Sequence, residues 1–218
     1  QSRWTATLVV DQGQQFTEKL SYHLNKYFNG REIVGDNPYD MNDNGYGNGS
    51  PNNREDDESH GTHVAGIIAA ERNNGKGANG VANNVAIMSI RAVPNGDEYD
   101  KDIAKGIRYA VDNGAKVING SFGKSFSPNA QWVYDALKYA AEKEVLFVHA
   151  AGNDGADLDD PSNPNFPNDQ VNNGAEFSDN VITVGALNPK YGSELLASYS
   201  NYGKINVDVF APGTDIYS

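Results

Sequence analysis

The stretch VLFVHAAGNDG, residues 145–155, decides the fold. Residues 145–149 form an apolar run broken only by His149. That run is far short of the roughly 20 residues that span a bilayer, but it suits a strand covered on both faces. It ends in Ala150-Ala151-Gly152-Asn153-Asp154-Gly155, small residues followed by turn formers, so the strand must leave the sheet there. On the N-terminal side a helix is predicted over 128–143, with Ser127 as its N-cap and Pro128 in its first turn. Before it, a short strand over 116–119 runs into Gly120-Ser121-Phe122-Gly123. Further out lie a helix over 99–113 that stops at Gly114, a β run over 85–93 (VAIMSIRAV), and a helix over 61–72. On the C-terminal side, 181–186 and 207–210 read as further buried strands. Strands alternating with helices predict an α/β fold: a three-layer, doubly wound sheet, mostly parallel.

Residues 1–58 read as a separate, insertion-like segment. Leu8-Val9-Val10 is a brief apolar run. Phe16, Leu20, Leu24 and Tyr27/Phe28 recur at the spacing of an amphipathic helix over 16–28. From 36 to 58 turn formers dominate, with Asn44-Gly45 and Asn48-Gly49 marking tight turns. Residues 59–218 carry the sheet. The chain opens at Gln1 and stops at Ser218 soon after Pro212-Gly213, and it reads as a piece of a longer protein, truncated at both ends.

Composition removes several classes of function. The 17 basic and 29 acidic side chains leave a net charge of −12, and no run of Lys or Arg offers phosphate a site, so nucleic acid is an unsuitable partner. With no cysteine, there is no thiolate nucleophile or thiolate metal site, and a nucleophile must be an oxygen. No segment is long enough to cross a bilayer as a helix.

The chemistry-bearing residues fall where strands end and helices begin, the usual place for sites in such sheets. HGTHVAG (60–66) opens a helix behind the acidic residues Asp56-Asp57-Glu58. SFG (121–123) and AAGNDG (150–155) follow two strands. In this order, with helices between, the three motifs resemble those of the subtilisin-like serine peptidases. The resemblance covers roughly residues 55–218, and 196–218 is similar to the stretch leading toward that family's serine. It makes 59–218 part of a peptidase domain, and it implies a serine endopeptidase that works through an acyl-enzyme. His60 becomes the general base, a role an imidazole suits because its ordinary pKa is about 6.5. His63 becomes a packing residue. Asn153 becomes the donor to the oxyanion of the tetrahedral intermediate. Ser121, Phe122 and Gly123, with Ala150, Ala151 and Gly152, become the two backbone walls that bind substrate as an extended strand. Gly120 departs from the family, which has a larger apolar residue there, so the rigidity of its turn is in question.

Two catalytic members are not supplied by these motifs. The family's serine lies in a Gly-Thr-Ser segment, which the 218 residues do not contain. Neither Ser121 nor Ser218 has that context. The family's aspartate precedes the histidine, and Asp11 is a partial match, the alternative being a residue upstream of Gln1. The resemblance further implies polypeptide substrates, an extracellular, periplasmic or cell-surface location, no required cofactor, and at most a structural calcium ion.

Three rival readings stay open. His60 and His63 with Asp56, Asp57 and Glu58 suggest zinc, although i, i+3 spacing without an intervening Glu fits poorly. The segment from Asp40 to Gly45 matches the first half of a calcium loop, but Pro51 stands where the bidentate Glu belongs, so the EF-hand reading fails and only a weak loop site is left. A catalytically inactive, peptide-binding domain of the same fold is the alternative function. Because neither wall motif contains a carboxylate, a large apolar side chain before the scissile bond is expected in preference to Lys or Arg.

The 218-residue chain by itself is expected to be inert toward a serine-directed fluorophosphonate, since His60 has no serine to deprotonate within it. Labelling at one site, abolished in His60→Ala, would contradict this.

Overall fold

The computed structural model describes residues 17–25, 27–53, 58–93, 96–171 and 173–218. Two compact units divide the chain, Gln1–Gly49 and Ser50–Ser218. The helix expected over 16–28 is much shorter. A π-helical turn Lys19–His23 follows residues 17 and 18, and the chain leaves helical geometry after Leu24. Its apolar side chains are largely exposed, and Tyr22 and Phe28 meet edge to face at 4.9 Å. A 3-10 turn, Gly30–Val34, is closed by an Arg31–Asp36 ion pair of 2.6 Å. The oxygens of the calcium-like segment are used internally: Asp40 accepts from the Asn42 amide and Asp43 from the Asn37 amide.

The second unit is built on a four-stranded parallel sheet in the order β1 (Val117–Gly120), β2 (Leu146–Ala150), β3 (Val181–Leu187), β4 (Val209–Pro212). Its described helices are α1 (His60–Ala69), α2 (Asp100–Asp112) and α3 (Ala130–Glu142). The α/β class read from the sequence is the fold observed. No described helix is long and apolar enough to cross a membrane.

The core forms where α2, α3 and β2 meet. Ile103, Ala104, Ile107 and Ala110 line one face of α2, and Val133, Ala136, Leu137 and Ala140 one face of α3, all buried. Their three- and four-residue spacing aligns each set on one stripe, and the alanines let the helices approach closely. Phe147 on β2 is fully buried and contributes about 1.5–3 kcal/mol by burial. At the start of β2, Asn180 donates to Val145 O (2.8 Å) and Leu137 O (3.3 Å), joining α3, β2 and β3.

Three further expectations are corrected. The strand expected to be buried over 207–210 is Val209–Pro212, and its Val209 and Phe210 side chains are exposed. Residues 85–93 form no ladder; Ile87, Met88, Ile90 and Val93 are exposed, because no described strand lies beside them. Ile90 and Ala92 instead lie over Gly106 of α2, where a Cβ would meet them at 3.4 and 3.8 Å. At α3 the N-cap is Asn129, not Ser127. The Ser127 hydroxyl donates to Asp100 (2.6 Å), and the Asn129 amide donates to the same carboxylate (2.8 Å). Asp100 pairs with Lys124 at 2.8 Å, both nearly sealed from water. This buried pair ties the loop after β1 to the start of α2, and removing one partner would leave an uncompensated charge.

Asp169 is a costly group in the loop between β2 and β3. Burial first, then the charges of Glu176 and Asp208, push its carboxyl up to about 6. Its folded pKa thus lies above the unfolded value of about 3.8, so the native state holds the extra proton between those values. Stability falls as pH rises through that window and stays lower above it. Asp169→Asn is expected to raise the denaturant midpoint at pH 8 and leave it nearly unchanged at pH 3.5. An equal effect at both values would contradict the assignment.

Candidate active site

The register of the sheet brings the SFG and AAGNDG turns together. Gly120 pairs with His149, so Ser121 and Ala150 leave adjacent parallel strands side by side at the carboxyl edge. The turn after β1 is fixed from several directions. Asn119 Nδ2 donates to Ser121 Oγ at 2.9 Å. His149 Nε2–H donates to Phe122 O at 2.8 Å. Lys124 and Phe166 exchange backbone hydrogen bonds of 3.1 and 2.8 Å. Asn165 sits against both motifs, since its Nδ2 donates to Ala150 O (3.2 Å) and Ala151 O (2.9 Å). A Cβ on Gly123 would stand 2.8 Å from its Oδ1.

His149 is a buried imidazole on β2. Burial pushes it down to about 4, against the Phe122 carbonyl, which favours the protonated form. It is therefore neutral near pH 7, with its proton on Nε2 facing that carbonyl. Phe122, Phe147 and His149 form an aromatic cluster with ring centroids 6.1–6.5 Å apart. The cluster accounts for the unusual Gly120. A Cβ there would lie 2.6 Å from Phe147 Cζ, so the ring of Phe147 occupies the space of the side chain missing at 120. The turn is held by its neighbours in place of its own side chain.

The second turn, residues 151–156, has left-handed backbone at Gly152 (φ +100°) and Gly155 (φ +62°). L side chains rarely adopt these angles. Asn201, 2% exposed, binds this turn on both sides of Asn153. The side chain of Asn153 itself is exposed, and no hydrogen bond to another described residue occupies it.

His60 is the first residue of α1 and is exposed. The segment leaving β4 ties this helix to the carboxyl edge. His63 Nε2 donates to Ile216 O (3.2 Å), and Ser218 Oγ donates to His63 O (2.8 Å). Gly66 is in contact with Ser218 Oγ, leaving no room for a Cβ. All four strands are parallel, so the segment after β4 shares its edge with the turns after β1 and β2. His63 is half-buried and hydrogen-bonded to the segment after β4.

Of the zinc candidates, Asp56 and Asp57 lie outside the described residues. Glu58 is paired with Arg91, and His63 with Ile216. Among the described residues no group of three or more His, Asp or Glu side chains is disposed to hold a metal ion. Asp11 also lies outside the described residues. Asn165 and Asn201 went unnoticed in the sequence, where single asparagines carry no local signal. Only the SFG and AAG motifs that they touch pointed to the region.

The sequence profile of the subtilase family matches residues 9–218. The chain belongs to the subtilase family. It is 40% identical over 212 residues to a thermophilic serine proteinase of Bacillus sp. (strain AK1), covering 96% of this chain and 44% of that protein. It is 41% identical over 172 residues to the cell wall-associated protease of Bacillus subtilis (strain 168), covering 78% and 17%. A solved protease from Pseudoalteromonas arctica superposes with a TM-score of 0.58 at 36% identity, covering 71% and 43%. The chain thus spans less than half the length of these relatives. Within this subtilase, Gly120 and Phe147 form a complementary pair. Gly120→Leu is expected to destabilise the intact protein by about 1–3 kcal/mol through overpacking, and Phe147→Ala in the same chain should recover part of that loss. Chemical denaturation checks this; a Gly120→Leu protein as stable as the parent would contradict it.

Proposed function

We propose that the protein containing this chain is a serine endopeptidase with an acyl-enzyme mechanism. The observation that carries the reading is the convergence at one sheet edge of the two motif turns and the helix opened by His60. A serine hydroxyl attacks the scissile carbonyl while His60 takes its proton. The carbonyl oxygen becomes an oxyanion that accepts a hydrogen bond from the side-chain amide of Asn153. Collapse expels the leaving amine, which receives the proton from His60 and leaves an ester on the serine. Water then attacks the ester with His60 again as base, and the acid product and free serine are released. The serine is supplied from outside these 218 residues, in the family's Gly-Thr-Ser segment.

Ser121, Phe122 and Gly123, and Ala150, Ala151 and Gly152, line the path of an extended substrate. Asn165 touches both motifs and brings no carboxylate to pair with a Lys or Arg side chain, which supports a preference for large apolar side chains. Polypeptides are the substrates. An extracellular or cell-surface location is supported by the kinship with a cell wall-associated protease.

Asn153 acts on charge that exists only in the transition state, so Asn153→Ala in the full-length enzyme is expected to lower kcat by about 100- to 1000-fold with KM nearly unchanged. That magnitude is the one known for such a donor in subtilisin, which this chain resembles. A variant that keeps most of its turnover would return Asn153 to an ordinary turn residue.

A further inference from the structure

We infer that Asn201 is a positioning residue for the oxyanion donor, holding the backbone on both sides of Asn153 through a single buried amide. The inference rests on the peptidase reading above and deepens it.

The turn at 151–156 must satisfy its backbone groups without a ladder, and most of its partners are provided by one segment. Asn201 Nδ2 donates to Ala151 O at 2.9 Å, and Asn201 Oδ1 accepts from Asp154 N at 2.9 Å and Ala156 N at 3.0 Å. Asn201 N donates to Gly152 O at 3.0 Å, and a longer contact of 3.4 Å reaches the Asp154 carboxylate. Tyr199 O and Tyr202 N complete the set on Gly155 N and Ala156 O. Residues 151, 152, 154 and 156 are therefore all bound to Asn201, and the intervening Asn153 is left with its side chain exposed.

The arrangement demands both halves of a primary amide. A carboxylate could accept from Asp154 N and Ala156 N but could not donate to Ala151 O, and it would stand beside the Asp154 carboxylate. An aliphatic residue would leave the Asp154 and Ala156 amides without their acceptor and Ala151 O with Asn165 as its remaining donor. Gly152 belongs to the same device, because a Cβ there would lie 2.5 Å from Asn201 Nδ2. An oxyanion donor works only when preorganised, so an error of about 1 Å in the turn would weaken it far more than it weakens ground-state binding along the neighbouring wall.

The test is a double-mutant cycle in the full-length enzyme with Asn201→Asp and Asn153→Ala, reading kcat and KM separately. Asn201→Asp is expected to lower kcat about tenfold or more with KM within about twofold. In the Asn153→Ala background the same change should lower kcat less than about twofold, because the group through which it acts is gone. A kcat unaffected by Asn201→Asp, or an equal fall in both backgrounds, overturns the inference alone. If Asn153→Ala itself leaves kcat intact, the oxyanion reading falls and the inference with it. Should Asn201→Asp not fold, Asn201→Ser, whose hydroxyl satisfies part of the set, is judged by the same criteria.

Discussion

The candidate site depends on side-chain amides that replace a missing ladder. Where β2 ends, the chain must turn outward and still satisfy the backbone groups it carries away from the sheet. Asn201 and Asn165 supply those hydrogen bonds, and each approaches from a segment that is itself part of the second unit. A buried hydrogen bond adds only about 1 kcal/mol net, but an unmet polar group in the same place costs about 1–3 kcal/mol. That asymmetry specifies a single turn geometry.

Strand β2 transmits the order of the core to this edge. Phe147 and His149, two residues apart, point to the same face of the sheet. Phe147 is packed against Gly120 of β1, and His149 holds the carbonyl of Phe122. Packing in the core and the placing of the turn after β1 are therefore consecutive steps along one strand. The buried Asp100–Lys124 pair and the Lys124–Phe166 bridge hold the far end of the same loop. Electrostatic preorganisation of a site needs this kind of support, because donors that must reorganise during reaction lose their advantage.

The parts legible in the sequence are those governed by short-range patterns. The β1, β2 and β3 strands, α2, and the turns at 121–123 and 150–155 follow from apolar runs, three- and four-residue spacing and turn chemistry. Tertiary context decided the rest. VAIMSIRAV has the composition of a strand, but a ladder needs a neighbour, and none of the described strands lies beside it. Ser127 looks like an N-cap, yet its hydroxyl is drawn to Asp100, 27 residues earlier. Asn201 acts on amides up to 50 residues away. No periodicity marks such a residue, and Gly120 departs from the family for a reason visible only once Phe147 is placed.

Residues 151–156 form a rigid turn although Asp154 and Gly155 are exposed. Amide hydrogen exchange in the intact protein tests it most directly. The Asp154, Gly155 and Ala156 amides, bound to Asn201 and Tyr199 carbonyl oxygens, are predicted to exchange as slowly as Ala151, whose amide is bound to Val184 of β3. Exchange of these three at the rate of an unprotected loop, with Ala151 still protected, would contradict the account.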